Sequence, residues 1–281
     1  MRAVVVDEAG EPQLADVAEP EGEGELVRVL ACGLCGSDVE KLTPAHAGAV
    51  LGHEVVAVRA DGRRAVLVHH RPCGRCARCR AGHESTCEAF AAATIRPGGF
   101  AEQARAVETV PLVDGVPDAV ATYAEPLACV LRGAERVPPG RVLVVGHGFV
   151  GRLFAAVLRR RGDEVYALDT RPERSGPEPD GPVDAAVVCA PGGADAAVAA
   201  VAPGGTVLVF ADTGALPLDA VYRRELRVVG SRSATPRHLR DAVALLPEID
   251  LPEPTVLPLD RFDEGLARYR RGDALKVVFV P

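Results

Sequence analysis

The stretch "GRVLVVGHGFVGRLFAAVLRRRGDEVYALD", residues 140–169, decides the fold class of this chain. An apolar, β-rich run at 142–145 leads into a G-x-G-x-x-G pattern at 146–151, and residues with helical periodicity follow. A glycine pattern alone is weak evidence, but this one lies between a strand and a helix, and the next apolar run ends in Asp169. This context predicts a dinucleotide-binding Rossmann domain of the α/β class, and the alternative is an ordinary turn between strand and helix.

The glycine pattern fits the needs of a bound dinucleotide. Gly146 permits the tight turn, Gly148 lets the backbone approach the pyrophosphate, and Gly151 allows close packing of the helix. Asp169 can accept hydrogen bonds from the adenosine ribose and would repel a 2′-phosphate, which favours NAD over NADP. Nearby arginines at 171 and 174 weaken that preference. The predicted cofactor-binding residues of this region are Gly146, Gly148, Phe149, Val150, Gly151, Asp169 and Arg174.

The segment after Asp169 is too short for a complete Rossmann sheet. Residues 170–182 include four prolines, which exclude a useful helix, and the next strand is predicted at 184–190. Thirteen extended residues reach roughly 43 Å at ~3.3 Å each, enough to return along a strand of ~20 Å and cross two strand spacings of ~5 Å. We therefore predict the strand order 2-1-4-5-6, without strand 3 and with strand 2 at the edge. The proline-rich segment "GPEPDGP" would cover that edge.

Four cysteines in "CGRCARCRAGHESTC", residues 73–87, have the spacing C-x2-C-x2-C-x7-C. Such short spacings let thiolates converge on one tetrahedral ion, and zinc favours a closed four-sulfur shell in structural sites. Disulfides are the alternative, although metal ligation is commoner in a reducing compartment. The predicted structural zinc would organise a lobe at 72–90 and do no chemistry, because a closed shell has no open position. Its ligands would be Cys73, Cys76, Cys79 and Cys87.

Composition limits the classes of partner. The chain has 281 residues, 48% of them hydrophobic and 25% charged, and a formal charge of −7, which is typical of a soluble protein of about two domains. It begins without a basic segment followed by an apolar run, and no segment has ~18 uninterrupted apolar residues, so we expect a cytoplasmic protein without a membrane partner. The scattered arginines form no basic stripe, which argues against nucleic acid as a partner.

Further motifs occur in the segments "CGLCGSDVEK" (32–41), "LGHE" (51–54), "YAEPLACV" (123–130) and "FDEGLARYRRGDALKVVF" (262–279). Together with the cysteine lobe and the glycine pattern, these motifs follow one another along the chain as they do in the zinc-dependent medium-chain dehydrogenase/reductase superfamily. The chain resembles this superfamily and, within it, the alcohol, polyol and threonine dehydrogenase-like members. It would be a shortened member, since relatives are usually some tens of residues longer. The resemblance implies a GroES-like, β-rich catalytic domain at 1–124, a dinucleotide-binding domain at 125–231, and a return to the catalytic domain at 232–281.

The same resemblance implies a catalytic zinc. Cys35 and His53 match its ligands, and Glu125 stands where the alcohol dehydrogenase branch has a cysteine and the polyol branch a glutamate. Glu54 would ligate the zinc in exchange with water. Cys32 lies outside the matching position and is expected to be a packed thiol.

Other residues are expected to support the reaction. Asp38 would hold the second nitrogen of His53 and set its tautomer. Ser37 matches the hydroxyl that relays the substrate proton, and Glu40 stands where alcohol-oxidising relatives often have a histidine, so it would be either part of the proton exit or a surface charge. Lys276 matches a basic residue near the cofactor pyrophosphate, and the alternative is a surface lysine.

These residues predict an oxidoreductase with two zinc ions per chain, one catalytic and one structural. It would transfer hydride between a secondary alcohol, polyol or sugar-like, and NAD(P), and the sequence does not separate oxidation from carbonyl reduction. The alternative is an inactive cofactor- or zinc-binding regulatory module, which the shortened adenosine side favours and the complete set of site residues opposes. Resemblance further implies a homodimer or homotetramer, with residues 215–218 as a pairing strand, although Pro217 argues against it.

Overall fold

The computed structural model describes all residues from 1 to 281. The strands in chain order are β1 Arg2–Val6, β2 Pro12–Asp16, β3 Glu25–Gly33, β4 Glu54–Val58, β5 Arg64–Leu67, β6 Ile95–Arg96, β7 Gln103–Ala106, β8 Thr109–Pro111, β9 Arg141–Val145, β10 Glu164–Leu168, β11 Val183–Val188, β12 Val201–Val209, β13 Arg227–Gly230, β14 Thr255–Pro258 and β15 Val277–Val280. The helices are α1 Gly36–Glu40, α2 Ala77–Arg80, α3 Asp118–Ala121, α4 Ala124–Ala134, α5 Phe149–Arg161, α6 Ala194–Ala200, α7 Leu218–Arg223, α8 Pro236–Leu245 and α9 Phe262–Arg271. None of these helices has the length and apolar character needed to cross a bilayer.

The chain divides into two compact units. One unit, here called the β-rich unit, contains Met1–Ala128, Ala234–Glu248 and Pro252–Pro281. The other, here called the parallel-sheet unit, contains Cys129–Ser233 and Ile249–Leu251.

An eight-stranded sheet builds the β-rich unit, in the order β14-β15-β3-β4-β5-β8, with β7 paired to β3 and β6 paired to β7. Alternation along β3 explains its place in the sheet, because Val27 and Val29 are buried whereas Arg28 is exposed. β1 and β2 form a separate two-stranded sheet. The architecture is the GroES-like fold that the resemblance predicted.

A tight turn sets the register of the hairpin β4–β5. The backbone N–H of Arg59 donates to the carbonyl of Arg63, and Gly62 takes up a left-handed φ of 80° between them. The pairing then aligns Val56 with Val66. This register also determines which residues face one another beyond the two strands, and some of these residues belong to the candidate site.

Aromatic side chains join the C-terminal elements to the core of the β-rich unit. The ring of Phe279 on β15 stacks on that of Phe262 on α9 with centroids 4.4 Å apart, and Phe100 meets both rings edge-on. Such pairs add to the stabilisation that comes from burial alone. The C-terminal segment is therefore an integral part of this unit.

A five-stranded sheet, all parallel, builds the parallel-sheet unit in the order β10-β9-β11-β12-β13. With β9 as strand 1 and β10 as strand 2, this is the predicted order 2-1-4-5-6, with strand 2 at the edge and no strand 3. The prediction of a reduced Rossmann sheet is confirmed.

The chain after β10 returns along the exposed edge of that strand. A 3-10 turn at Pro172–Arg174 reverses the direction, and the N–H of Gly176 then donates to the carbonyl of Ala167 in β10 at 2.9 Å. Farther on, Arg141 donates to the carbonyl of Pro182 at 3.0 Å. Most of this segment is exposed. The proline-rich segment covers this edge, as predicted, and occupies the carbonyl of Ala167 there.

One expectation about secondary structure is wrong. Residues 215–217 form no strand, and the chain enters helix α7 at Leu218 after Pro217. Proline lacks the N–H that a strand must donate, whereas it is well tolerated next to the start of a helix. The suggested pairing strand at 215–218 is therefore absent.

Candidate active site

Asp38 is the centre of the hydrogen bonds that hold Cys35 and His53 in place. Its Oδ2 accepts the backbone N–H of Cys35 at 3.1 Å, and its Oδ1 accepts the N–H of Gly52 at 3.2 Å. The same Oδ1 faces Nδ1 of His53 at 3.1 Å. Cys35 precedes the first turn of α1, and this turn brings Asp38 back towards it. A single carboxylate thus joins the two segments that carry the predicted ligands.

The pairing of Asp38 with His53 shifts the pKa of both groups. Burial opposes ionisation of Asp38, but His53 and the backbone N–H groups outweigh it and lower the pKa of this carboxyl. Burial also disfavours a charged imidazole, yet Asp38 holds the pKa of His53 well above its usual range. Because Nδ1 faces the carboxylate, Nε2 is the nitrogen of His53 that is available to a metal.

Lys276 and Glu54 form a buried ion pair next to these residues, and their side chains are 4% and 1% exposed. The Nζ of Lys276 also donates to the carbonyl of Leu34 at 2.9 Å. Burial would lower the pKa of Lys276, but the charges of Glu54 and Cys35 outweigh it and raise the pKa. The interpretation of Lys276 as a surface residue is wrong, because the structure buries it against Glu54. Its contact with a cofactor pyrophosphate stays a prediction.

His69 also belongs to this cluster, although no sequence motif pointed to it. Glu125 lies in the first turn of α4 and is 9% exposed, and its Oε1 is 3.6 Å from Nδ1 of His69. The rings of His69 and His53 have centroids 4.3 Å apart. Burial would raise the pKa of Glu125, but the two histidines outweigh it and lower the pKa. The sequence alone did not decide this position, because a two-residue turn at 61–62 would align His53 with His70, whereas the observed three-residue loop 60–62 aligns it with His69.

Potential metal-ligand atoms form two overlapping sets at this place. One set comes from Cys35, His53 and Glu54, and the other from His53, His69 and Glu125. Within each set the ligand atoms all lie within 4.8 Å of one another. One thiol with imidazole and carboxylate donors suits zinc, a borderline-soft ion that takes sulfur, nitrogen and oxygen ligands. The residues present therefore fit the catalytic zinc that the resemblance implies.

The remaining predicted residues of the β-rich unit lie at different distances from this cluster. The hydroxyl of Ser37 donates to Sγ of Cys35 at 3.4 Å. Glu40 is exposed at the end of α1, which favours its interpretation as a surface charge. Cys32 is 1% exposed within the core, as expected for a packed thiol. Tyr269 on α9 was not predicted, and the pKa of its hydroxyl is raised by burial and by the nearby Cys35.

The four cysteines of the lobe converge as a metal knot would require. Cys76 Sγ lies 4.0 Å from Cys87 Sγ, close to the spacing of about 3.8 Å that a tetrahedral zinc with bonds of about 2.3 Å imposes. Backbone N–H groups point at the sulfurs, among them Cys73 to Cys87 at 3.3 Å and Cys79 to Cys76 at 3.4 Å. The N–H groups of Glu88 and Cys79 lower the pKa of the Cys76 thiol to about 6. Burial and the neighbouring Cys76 instead raise the pKa of Cys79 to about 12, and zinc binds the thiolate form of each cysteine.

The glycine pattern forms a loop between β9 and α5 in the parallel-sheet unit. Gly146 has a left-handed φ of 90°, and a Cβ on Gly151 would lie 2.0 Å from the carbonyl oxygen of Gly146. At Gly148, by contrast, no atom lies within 4 Å of the position that an added Cβ would occupy, so this part of the loop faces open space. Asp169 accepts the N–H of His147 at 2.7 Å. The loop therefore has the free approach to its backbone that a dinucleotide requires.

Comparison with known proteins agrees with this geometry. A model of the alcohol dehydrogenase GroES-like domain matches residues 22–115. The chain is 33% identical to D-altritol 5-dehydrogenase of Agrobacterium fabrum over 299 aligned positions, which cover 88% of each protein. The chain belongs to the medium-chain dehydrogenase/reductase superfamily. It is accordingly a dehydrogenase.

Solved structures share the fold of this dehydrogenase over its whole length. A cobalt- and zinc-bound thermostable alcohol dehydrogenase from Pyrobaculum aerophilum superimposes with a TM-score of 0.87 at 23% identity, covering 100% of this chain and 99% of that one. An acetophenone reductase from Geotrichum candidum in complex with NAD gives a TM-score of 0.86 at 19% identity, with coverage of 100% and 97%. At these identities the likeness establishes the fold.

Proposed function

We propose that this dehydrogenase transfers hydride between a secondary alcohol, of the polyol or sugar-like kind, and NAD, with one catalytic and one structural zinc per chain. The observation that carries the proposal is the pair of donor sets that share the buried His53, one with Cys35 and Glu54 and the other with Glu125. A descendant with only a structural role has no need for thiol, imidazole and carboxylate donors at a separate, open site.

The residues of this site have separate tasks in the proposed reaction. Bound zinc would act as a Lewis acid towards the oxygen of the alcohol or carbonyl. Cys35, His53 and Glu125 would hold it, and Asp38 fixes the ring of His53 so that Nε2 points to the donor cluster. Glu54 is held by Lys276, so its carboxylate stays next to the site without an uncompensated charge.

Ser37 is the residue proposed to accept the substrate proton first. Its hydroxyl lies 3.4 Å from Sγ of Cys35 and is half-buried at the start of α1, which places a group that both donates and accepts protons beside the donor set. Since Glu40 is exposed at the other end of the helix, the proton is proposed to continue through the cofactor ribose and water.

NAD is the proposed cofactor because Asp169 stands at the tip of β10, where a carboxylate would meet the adenosine ribose. Its two oxygens accept the N–H groups of His147 at 2.7 Å and Arg171 at 3.0 Å, which fixes their position and keeps the negative charge at the end of the strand. This charge would repel the 2′-phosphate of NADP. A small polar substrate is proposed because the similar protein from Agrobacterium fabrum is named for D-altritol, and because the chain has no tryptophan and only 4% aromatic residues to line a large flat pocket.

The test begins with calorimetric titration of the zinc-loaded protein with NAD and NADP, followed by assays of NADH formation with D-altritol and sorbitol. We expect saturable NAD binding, weaker NADP binding and turnover of at least one polyol. A Cys35→Ser variant should lose turnover, and Cys32→Ala serves as the matched control, because the Cys32 thiol is buried outside both donor sets. Binding of neither nucleotide would refute the dehydrogenase reaction in this chain and leave the regulatory module as its function.

A further inference from the structure

The hairpin β4–β5 places a second histidine directly beside the proposed zinc site. Its register pairs Val56 with Val66, and continuing the antiparallel alignment by three residues pairs His53 with His69. Side chains of directly opposed residues lie on the same face of the sheet and are close neighbours. The ring centroids are accordingly 4.3 Å apart, with planes inclined by 33°.

The position of His69 relative to Glu125 matches the spacing of two ligands on one ion. Nδ1 of His69 and Oε1 of Glu125 are 3.6 Å apart, which exceeds a good hydrogen bond between nitrogen and oxygen. Zinc bonds of about 2.0–2.2 Å to nitrogen and oxygen place two tetrahedral ligand atoms about 3.4 Å apart. His53 completes the set, since the ligand atoms of all three residues lie within 4.8 Å of one another.

We propose that His69 is a ligand of the catalytic metal, so that the ion has a second donor set, His53–His69–Glu125, beside Cys35–His53–Glu54. The inference rests on the proposed function, because it concerns the same zinc. His53 belongs to both sets and is the pivot between them. The first set contains sulfur, whereas the second contains only nitrogen and oxygen, so a metal can be retained here without the thiolate.

A simpler role for His69 is that of an ion-pair partner for Glu125. Its side chain is 37% exposed, and a partly exposed pair of this kind contributes little to stability. A His69→Gln substitution distinguishes the role of ion-pair partner from the role of metal ligand. A glutamine at position 69 can still donate a hydrogen bond to Glu125, but its amide is a poor zinc ligand.

The experiment measures zinc content and zinc affinity, by competition with a chromophoric chelator, in purified full-length variants. The variants are Cys35→Ser, Cys35→Ser/His69→Gln and, as an exposed-histidine control, Cys35→Ser/His83→Gln. We expect Cys35→Ser to keep two zinc ions per chain. The added His69→Gln change should lower the affinity for the second ion by more than the 10- to 100-fold that loss of an outer hydrogen-bond partner typically costs. The His83→Gln change should leave the affinity unaltered.

A second measurement uses protein in which Cys35 is unchanged. Protein with zinc in the lobe and Co²⁺ at the catalytic site should give two paramagnetically shifted imidazole N–H resonances, one each from His53 and His69, and His69→Gln should remove one of them. The inference is overturned if Cys35→Ser alone loses the ion, if His69→Gln weakens its binding by no more than 100-fold, as loss of an outer partner would, or if one shifted imidazole is seen before and after the change. If instead the wild-type chain binds only the zinc of the lobe, the proposed zinc-dependent function fails as well.

Discussion

Replacing Asp38 by asparagine should weaken the catalytic metal site without changing its ligands. Asp38 is 2% exposed and serves three donors: the N–H groups of Cys35 and Gly52 and Nδ1 of His53. Asparagine keeps one oxygen for two of these donors and turns an NH₂ group towards the third, so at least one hydrogen bond to a charged acceptor is lost. Such a bond is worth about 1.5–3 kcal/mol, and loss of a carboxylate behind a ligating histidine costs about 10- to 100-fold in metal affinity.

The assay is chelator competition for zinc affinity, together with urea denaturation of the metal-free protein. We expect zinc binding to weaken by about 1.4–2.7 kcal/mol, which is the same 10- to 100-fold, and the denaturation midpoint to fall. Asp7→Asn is the matched control, because Asp7 also accepts two backbone N–H groups and one side-chain donor but lies in a surface turn. Zinc affinity within threefold of wild type for Asp38→Asn would refute the role of this carboxylate.

Other changes follow from the same structure. Cys79→Ser should reduce the zinc content from two ions to one and lower the melting temperature, and metal analysis with thermal unfolding measures both; two ions retained would contradict a four-sulfur knot. Gly151→Ala should destabilise the protein by about 1–3 kcal/mol, because its Cβ meets a carbonyl oxygen of the loop at 2.0 Å, whereas Gly148→Ala should fold normally but bind NAD more weakly. Urea denaturation and calorimetry separate the two, and equal stability losses would argue against open space at Gly148. Lys276→Met should cost about 3–5 kcal/mol by leaving the buried Glu54 uncompensated, and adding Glu54→Gln should restore most of it; a double variant no more stable than the single one would contradict the ion pair.

The strand order of the parallel-sheet unit was predictable because it depends on chain length and on proline. The thirteen residues at 170–182 are too few and too rich in proline to hold a strand between two helices, and their reach determines which strand can come next. The pairing strand at 215–218 was predicted by analogy and is wrong, because Pro217 cannot donate within a ladder and leads into α7 instead.

The partners of individual charges were harder to predict. Lys276 and Glu54 are far apart in the sequence, and a lysine next to a strand is usually exposed, so its burial against a carboxylate has no local signal. The position of His69 depends on the length of the hairpin loop, because a two-residue turn at 61–62 would place His70 opposite His53 and the observed three-residue loop 60–62 places His69 there.

The sequence by itself determined the fold class, the reduced sheet and the four-cysteine knot of this dehydrogenase, because each depends on spacings within short segments. Only the tertiary structure decided which of the dispersed residues meet. Cys35, His53, His69 and Glu125 come from a helix start, the two flanks of a hairpin and the first turn of α4, and packing in three dimensions brings their ligand atoms into two sets that share His53. Distances between such segments depend on the register and packing of the whole sheet, which no local pattern specifies.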